Sequence, residues 1–530
     1  MEINEIIKVF CNEDTYDGYG RCIIEDKVIY VKGLLATEEA LVSIVSIKKK
    51  AYFAKIKELL KTSQYRIKPS CEVADECGGC KYLHLHYDYQ LQKKHKRVVD
   101  CLSQIGGLKV EVSEIIPSPK VCQYRNKVQI PVQYQPFKMG FYRPKSRDIV
   151  EYTQCLVQSD FSNQLYHDIK DYLQKYHMAK DIRHVIIKHA LINDQAMLIL
   201  VSNKPQLKGL SSFVEEVVQK YPIIKSISLN INQRKDGLII GEQEELVYGS
   251  KMIQEKLGAY IFNISSKSFY QINPYQTLHL YNKVVELAAL SKDDIVVDLY
   301  CGTGTIGIFL AKYAKKVIGI DIVEDAIKDA KENAKLNDVN NIEFMAMDAT
   351  LAIEKIKSNQ HVDVIVVDPP RKGLSEMGIG HIIQCAPKRI VYVSCDPATL
   401  ARDLKEMNSS YKIEKVIPVD MFPNTDAVET VCLLSKLNVD HHIEVELNMD
   451  ELDLTSAESK ATYAEIKEYV LENSGLKVTN LYIAQVKDKM GIKERVNYHV
   501  SKKEDAKVPQ CPADKEKAIL EALEHFNMID

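Results

Sequence analysis

The chain has 530 residues, of which 46% are hydrophobic and 27% are charged, with a formal net charge of −3. This length predicts several domains of about 100–200 residues each, and the balanced charge means that nucleic-acid contacts must come from local basic patches. No apolar run approaches the roughly 18–20 residues of a membrane-spanning helix, and the first residues carry no export signal. We therefore expect a cytoplasmic protein without membrane contact.

Residues 1–61 have the pattern of a small β module. Short alternating apolar stretches are separated by turns near residues 17–20 and 32–33, which predicts five strands closing into an OB-like barrel. The segment 48–53 (KKKAYF), with Lys55 and Lys57 behind it, mixes basic and aromatic residues. That mixture suits a nucleic-acid surface, although a solvated charged face has a similar composition. The module resembles a TRAM domain, which implies an RNA-binding barrel.

A second region, residues 62–260, begins with a cysteine-rich turn. Cys71, Cys77 and Cys80 lie within CEVADECGGC, and three cysteines this close are poorly explained as core packing. Cys155 is the candidate for a fourth ligand. Four thiolates suit either a [4Fe–4S] cluster or zinc, and the spacing alone does not choose between them. Three inert thiols are the structural alternative.

The rest of this region predicts an α+β domain that we assign to RNA binding. Residues 84–105 form an amphipathic basic pattern typical of a helix, whose cations would meet phosphate or simply water: Lys93, Lys94, Lys96 and Arg97. Strands are predicted at 128–132, 184–188, 196–201 and 227–231. Apart from the cysteines, no chemistry is visible here.

From residue 261 to 437 the pattern becomes a regular β-α alternation, which predicts a doubly wound, largely parallel sheet. The predicted strands cover residues 295–299, 317–320, 342–345, 362–367, 390–393 and 431–435. Residues 438–530 form an acidic linker followed by helical patterns at 462–473 and 514–526. This extension carries no recognisable chemistry, and its partner is not indicated.

The segment 298–307 (DLYCGTGTIG) follows the first of these strands. Glycines at 302, 304 and 307 let the backbone approach a ligand and open a helix. Asp298 and the sequence DxxCGTG look like the S-adenosylmethionine (SAM) site of class I methyltransferases, with an NAD site or a structural turn as alternatives. Asp321, at the next strand end, can accept both ribose hydroxyls. Asp348 is a further candidate near the adenine.

Two more strand ends carry candidate chemistry. Asp368 precedes two prolines that hold it in a rigid turn, in a motif similar to the D/N-P-P-Y/F/W of amino-methylating enzymes. Arg371 replaces the aromatic residue, which argues against a stacked amine. Residues 390–393 deliver Cys395 into a turn, and a helix is expected from near Ala398. A strand-end thiol suits chemistry, although a free cysteine is more often a buried hydrophobe.

Three segments together, DPPRKG, IVYVSCDPAT and DMFPNTDAVET, resemble the RNA uracil-C5 methyltransferase family. The barrel and the four cysteines resemble its 23S ribosomal RNA branch, and the resemblance covers residues 1–437. It implies Cys395 as nucleophile and Glu429 as general base. It also implies that SAM is bound by Gln271, Tyr300, Asp321 and Asp368. The ligands of a [4Fe–4S] cluster would be Cys71, Cys77, Cys80 and Cys155.

The implied chemistry explains these residue types. A thiolate adding at uracil C6 makes C5 nucleophilic enough to take a methyl group, and a base must then remove the C5 proton. We expect helix amino termini and cations to favour the Cys395 thiolate, and the target base to be flipped out. The family usually has Asn where this chain has Asp396, and His where it has Ala427. Both departures concern the positioning of the uracil.

The sequence therefore predicts a multidomain, monomeric enzyme: an OB-like barrel, an α+β central domain with a cluster, a class I Rossmann-like α/β SAM methyltransferase domain and a small helical extension. The predicted substrate is 23S ribosomal RNA. Methylation of tRNA is the closest alternative. A non-catalytic RNA-binding or assembly protein is the alternative from another class.

Overall fold

The computed structural model describes residues 1–48, 51–358, 360–437, 463–490, 511–526 and 528–529. It divides into two compact units, Met1–Asn438 and Val439–Asp530. Within these described ranges, no helix has the length and apolar character needed to cross a membrane.

The first strands form the closed five-stranded barrel that the sequence predicts, in the order β1-β2-β3-β5-β4. Alternate residues point inward and are buried, for example Val9, Ile29 and Val42. Lys49 and Lys50 of the predicted basic patch lie outside the described residues. The strands are β1 (Ile6–Asp14), β2 (Tyr19–Ile24), β3 (Lys27–Lys32), β4 (Glu39–Lys48) and β5 (Ala51–Lys61).

The central region contains a six-stranded sheet in the order β13-β12-β11-β10-β6-β7. All four strands predicted for this region are present, each within a slightly longer element. Its elements are α1 (Tyr87–Gln104), β6 (Lys127–Gln133), β7 (Lys138–Met139), β8 (Phe141–Tyr142), β9 (Ile149–Val150), α2 (Asp160–Lys175), β10 (Ile182–Ala190), β11 (Gln195–Ser202), α3 (Leu210–Lys220), β12 (Ile224–Ile231) and β13 (Gln243–Gly249).

Helix α1 is present as predicted, but its cations are not a free basic surface. Lys93 pairs with Asp14 of the barrel at 2.7 Å, and Lys94 pairs with Asp420 at 2.5 Å with both side chains 0% exposed. The prediction that these lysines meet phosphate or water is therefore wrong, because each neutralises a partly or fully buried carboxylate. Helix α1 instead ties the barrel to the loop that contains Asp420.

The α/β domain has a seven-stranded sheet in the order β18-β17-β16-β19-β20-β22-β21. Strands β16–β20 are parallel, and β22 runs antiparallel to both of its neighbours. A separate two-stranded sheet, β14 (Met252–Leu257) and β15 (Tyr260–Ser265), precedes the domain. The elements of the domain are α4 (Pro274–Ala288), β16 (Ile295–Leu299), α5 (Thr305–Ala311), β17 (Lys316–Asp321), α6 (Glu324–Leu336), β18 (Ile342–Ala346), α7 (Ala349–Lys357), β19 (Val364–Val367), α8 (Glu376–Cys385), β20 (Arg389–Ser394), α9 (Pro397–Met407), β21 (Tyr411–Val419) and β22 (Glu429–Lys436).

All six predicted strands of this domain are present. Strands β14, β15 and β21 are not among the predicted strands. In β21 the charged residues break the apolar alternation at a register shift between Ile413 and Lys415. The buried parallel strands, such as β19 with four buried residues in sequence, are continuous apolar runs, as expected for a sheet covered on both faces.

The second unit contains α10 (Tyr463–Ser474), α11 (Asn480–Lys489) and α12 (Ala513–His525). Its own apolar core includes Ile466, Val470, Ile483 and Ile519. Two of these helices were predicted and α11 was not. The acidic linker and Thr462 lie outside the described residues.

Candidate active site

The loop after β16 holds the glycine-rich motif in an open backbone conformation. Tyr300, Gly302 and Gly304 have φ values of 63°, 54° and 78°, in the left-handed region that glycine adopts readily. A Cβ atom at Gly302 would meet nothing within 4 Å, so this backbone faces open space. Asp321, which ends β17, accepts a hydrogen bond from the Gly302 N–H at 3.0 Å. The loop and Asp321 therefore border one space at the carboxyl ends of β16 and β17.

Two buried carboxyl groups continue this row toward β19. Asp298 is 0% exposed, and neither of its side-chain oxygens has a hydrogen-bond partner among the described residues. Burial, with a contribution from Asp368, raises its pKa to about 8. Burial also raises the pKa of Asp368, directly after β19, to about 7. Strands β16 and β19 are neighbours where the strand order reverses, which is the usual ligand position in such sheets.

The sheet register brings Cys395 and Glu429 together. Strands β20 and β22 pair antiparallel with Ser394 opposite Thr430. The next position beyond that pair places Cys395, just after β20, beside Glu429, the first residue of β22. Glu429 is 4% exposed, whereas Cys395 is partly exposed. A thiol open to a substrate thus lies beside a carboxyl that is shielded from water.

The electrostatics of this pair favour protonated groups in the protein alone. Burial raises the pKa of Glu429 to about 8; Asp368 adds to the rise and Arg371 opposes it. Burial also raises the pKa of Cys395 to about 11, with Glu429 and Asp368 raising it further and Arg371 lowering it. The expectation that this site favours a thiolate is therefore wrong for the protein alone. Two carboxyls and desolvation outweigh one guanidinium.

The residues around the two family departures form a small network. Asp396 caps α9, accepting a hydrogen bond from the Ala398 N–H at 2.9 Å, and Asn would cap the helix equally well. Arg97 of α1 lies 4.0 Å from the Asp396 carboxylate. Its guanidinium also donates to the Asp426 carbonyl at 2.8 Å, directly before Ala427. Arg97 thus contacts both loops in which this chain departs from the family pattern, at Asp396 and next to Ala427.

Gln271 lies between β15 and α4 and is 7% exposed. Its carbonyl oxygen accepts a hydrogen bond from Asn126 Nδ2 at 2.9 Å. Its side-chain amide makes no hydrogen bond within the part of the chain that the structure describes, so both amide atoms remain available to a ligand. Asp348, by contrast, caps α7 by accepting from the Thr350 N–H at 2.9 Å, and this capping bond accounts for its position after β18.

The four cysteines singled out in the sequence line one cavity of about 330 Å³. Burial raises the pKa of the Cys71, Cys77 and Cys80 thiols, and the nearby Cys155 raises each of them further. Gly78 lets the loop turn closely, because a Cβ there would lie 2.9 Å from the Tyr142 carbonyl oxygen. Residues far apart in sequence thus present four sulfurs to the same space.

The residue types that line this cavity limit the kind of group that it could hold. Among the described residues, no three Cys, His, Asp or Glu side chains form a group able to hold a metal ion. Four thiols are a donor set that both tetrahedral zinc sites and iron–sulfur clusters use.

Sequence reasoning missed two residues of the candidate site, Arg371 and Arg97. The sequence shows Arg371 only as a replacement for an aromatic residue, whereas in the structure its charge acts on both Cys395 and Glu429. Arg97 was grouped with the other cations of α1. No local pattern distinguishes it, because its contacts with Asp396 and Asp426 lie about 300 residues away in sequence.

Comparisons with known proteins identify the family. Residues 86–437 match the tRNA (Uracil-5-)-methyltransferase family. An uncharacterized RNA methyltransferase of Bacillus cereus is 40% identical over 450 residues, covering 82% of this chain and 98% of the relative. One of Clostridium tetani is 37% identical over 431 residues, covering 79% and 93%.

A solved structure extends the match. The crystal structure of Pyrococcus abyssi tRNA (uracil-54, C5)-methyltransferase in complex with S-adenosyl-L-homocysteine superposes with a TM-score of 0.65 at 28% identity. The match covers 81% of this chain and 100% of that one, far more than the α/β domain alone. The chain therefore belongs to the RNA uracil-5-methyltransferase family and is an RNA methyltransferase.

Proposed function

We propose that this protein is a cytoplasmic, SAM-dependent enzyme that methylates uracil C5 in 23S ribosomal RNA, giving 5-methyluridine. The observation that carries the proposal is the pairing of Cys395 and Glu429 at neighbouring strand ends, beside Asp368 and Arg371. A nucleophile and a base at adjacent positions can act on C6 and C5, which are adjacent atoms of one ring.

In this mechanism the Cys395 thiol loses its proton to solvent, the resulting thiolate forms a bond to uracil C6, and the electron pair of the C5–C6 double bond becomes available at C5. SAM would supply the methyl group that C5 takes. Glu429 then removes the C5 proton, the double bond re-forms, and the C6–S bond breaks to return the thiolate. Asp298, Asp321 and Asp368, with Gln271 and Tyr300, are the residues that would hold the methyl donor.

Protonation limits both steps. With pKa values near 11 and 8, Cys395 and Glu429 carry protons at neutral pH in the protein alone. Arg371 lowers both values, so its guanidinium favours the thiolate during addition and the carboxylate during proton removal. The shielded position of Glu429 keeps its pKa close to the operating pH, where a general base is most effective.

We further propose that Cys71, Cys77, Cys80 and Cys155 hold a [4Fe–4S] cluster with a structural role. Methyl transfer exchanges no net electrons, so a redox role is not required. The barrel, with Tyr30 and Phe53 rings stacked at a centroid distance of 5.6 Å, is proposed to bind RNA as a TRAM-like module alongside the central domain.

The ribosomal target rests on the resemblance of the barrel and the four cysteines to the 23S branch. Methylation of tRNA is the second candidate, because the matching Pyrococcus abyssi enzyme acts on tRNA and the match covers 81% of this chain. An architecture of this extent is thus compatible with either substrate.

Trapping with 5-fluorouridine separates these possibilities. Fluorine at C5 cannot leave as a proton, so the enzyme should stall as a SAM-dependent covalent adduct. 23S fragments and tRNA, each carrying 5-fluorouridine, would be compared on denaturing gels. An adduct with the rRNA fragments supports the proposal, and an adduct with tRNA alone moves the target to tRNA. Tight RNA binding without any adduct would contradict the proposed chemistry.

A further inference from the structure

A short segment, residues 124–127, lines part of the four-cysteine cavity and is hydrogen-bonded to the segment that carries Gln271. Arg125 and Lys127 line the cavity, whereas Asn126, between them, bonds to the opposite side. Ile272, the neighbour of Gln271, also lines the cavity. The cavity and the candidate SAM residue therefore share one thin wall.

Asn126 makes two hydrogen bonds across this wall. Its side-chain Nδ2 donates to the Gln271 carbonyl at 2.9 Å, and its backbone N–H donates to the Ile272 carbonyl at 2.9 Å. Asn126 is 7% exposed, and its own carbonyl accepts from the His189 N–H at 2.7 Å. Buried hydrogen bonds of this kind fix the backbone at residues 271–272 rather than merely contacting it.

Asn273 fixes the other end of the same segment. Its Nδ2 donates to the Met421 carbonyl at 3.1 Å, and its side chain caps α4 by accepting from the Gln276 N–H. The segment that carries Gln271 is thus held from two sides, by Asn126 near the cavity and by Asn273, which bonds to the loop that contains Met421. Only the first of these supports belongs to the cavity wall.

On the cavity side, Arg125 faces the sulfurs. It is among the causes that lower the pKa of Cys77 and Cys80, against the larger effect of burial. Its Nε atom is buried and has no hydrogen-bond partner among the described residues, and its backbone N–H donates to the Val157 carbonyl at 2.9 Å. A negatively charged group bound by the thiolates would satisfy this donor and so fix residue 125.

We propose that Asn126 is a positioning residue that couples the four-cysteine site to the methyl-donor pocket. A group bound in the cavity fixes Arg125 and therefore holds the next residue, Asn126, in place. The hydrogen bond from Asn126 to the Gln271 carbonyl then fixes the backbone of Gln271, so that its free side-chain amide meets the methyl donor. This inference rests on the proposed roles of Gln271 and of the cysteines. It adds that the affinity for the donor depends on the cluster.

The test is a double-mutant cycle on the full chain, purified anaerobically, with calorimetric Kd values for S-adenosylhomocysteine. Asn126→Asp keeps the shape of the side chain but removes its donor, and Cys80→Ser empties the cavity. Asn230→Ala is the matched control: Asn230 is also fully buried and bonds to a backbone carbonyl, that of Gly241, away from Gln271. Iron content and Tm are measured for each protein.

We expect Asn126→Asp and Cys80→Ser each to weaken binding about tenfold, the equivalent of one buried hydrogen bond, and the double variant to be no weaker than the Cys80→Ser single variant. In steady-state kinetics, Asn126→Asp should raise KM for SAM and leave KM for RNA unchanged. Asn230→Ala should bind like the unaltered protein.

Two results would overturn the coupling: an unchanged Kd in Asn126→Asp, or effects of the two substitutions that add fully. A protein that binds no S-adenosylhomocysteine in its unaltered form would instead contradict the proposed function, so the two failures are distinguishable. Asn126→Asp protein that retains its iron and its Tm but has lost affinity shows that the loss is not general unfolding.

Discussion

The active site and the four-cysteine site are positioned by different means. Cys395 and Glu429 lie at the ends of buried strands whose register is set by paired neighbours. Cys71, Cys77 and Cys80 lie in turns between β5 and α1, outside any helix or strand. A sheet with a packed core holds its strand ends without a ligand, whereas a loop site depends on what the loop binds. The comparison predicts that the first site is preformed and the second depends on its occupant.

The largest effect is expected at the nucleophile. Cys395→Ala should abolish methylation and adduct formation, because it removes the thiol proposed to add to C6, while the Tm stays close to that of the unaltered protein. Cys432→Ala is the matched control, since Cys432 is a fully buried thiol of β22 with a packing role. Methyl incorporation from labelled SAM measures both. Residual turnover in Cys395→Ala above that of an RNA-only blank would exclude Cys395 as the nucleophile, and a large fall in Tm would contradict a preformed strand-end site.

The loop site is tested by Cys80→Ser against Cys122→Ser. Loss of one of four ligands should remove most of the iron and lower the Tm, because binding energy in a loop site is folding energy. Cys122 is exposed and does not belong to the cavity lining, so Cys122→Ser should keep its iron. Iron analysis and thermal melts give the result. Equal iron content in both variants would contradict the proposal that the four-cysteine cavity holds the cluster.

Substitution of the buried pair Lys94–Asp420 measures how strongly α1 stabilises the loop that contains Asp420. Lys94→Met should lower the free energy of unfolding by about 3–5 kcal/mol, because it leaves a buried carboxylate without its partner. The exposed pair Lys96–Asp100 supplies the control, and Lys96→Met should cost at most about 1 kcal/mol. Denaturant titrations measure both. Similar losses would mean that α1 is held chiefly by apolar packing.

The pKa of Glu429 predicts a pH dependence. Since a base must be ionised and this pKa is about 8, resolution of the adduct should speed up roughly tenfold between pH 7 and pH 9. A raised carboxyl pKa also means that the folded state binds more protons than the unfolded state. The contribution of Glu429 to the stability of the folded state therefore declines as pH rises from about 5 to 8. The rate of adduct resolution is measured as the release of 5-methyluridine in a single turnover. A rate that is independent of pH would exclude Glu429 as the base.

The smallest effect is expected at Asp396, the departure beside the nucleophile. Asp396→Asn should change stability by less than about 0.5 kcal/mol, since both residues cap helices equally well. The activity should change little, because the capping bond to Ala398 that positions the turn is kept. Thermal melts and initial rates measure the change. A large gain in rate would show that the acidic side chain itself limits the reaction.

Much of the fold could be predicted from the sequence, because the pattern of apolar runs directly reflects buried strands. The closed barrel, the parallel sheet and helix α1 follow from local periodicity. The roles of Lys93 and Lys94 could not be predicted, because their carboxylate partners are distant in sequence. A cation on a helix has the same local pattern whether it faces water or a buried acid.

The site divides in the same way. The residue types and strand-end positions of Cys395 and Asp368 are visible in the sequence. The raised pKa of Cys395 is not visible, because it depends on the burial produced by two strands and on carboxyls from separate segments. The link between Asn126 and Gln271 is likewise a product of tertiary packing, since the two residues carry no shared motif.

The most direct test of the account is the reaction of Glu429→Gln protein with SAM and RNA that contains ordinary uridine. The thiol of Cys395 can still add and the methyl group can still transfer, but the C5 proton cannot be removed. We predict a covalent protein–RNA adduct that carries one added methyl group, detected by intact mass and mapped to the peptide containing Cys395. Release of 5-methyluridine at the unaltered rate would contradict the account, as would an adduct on any other residue.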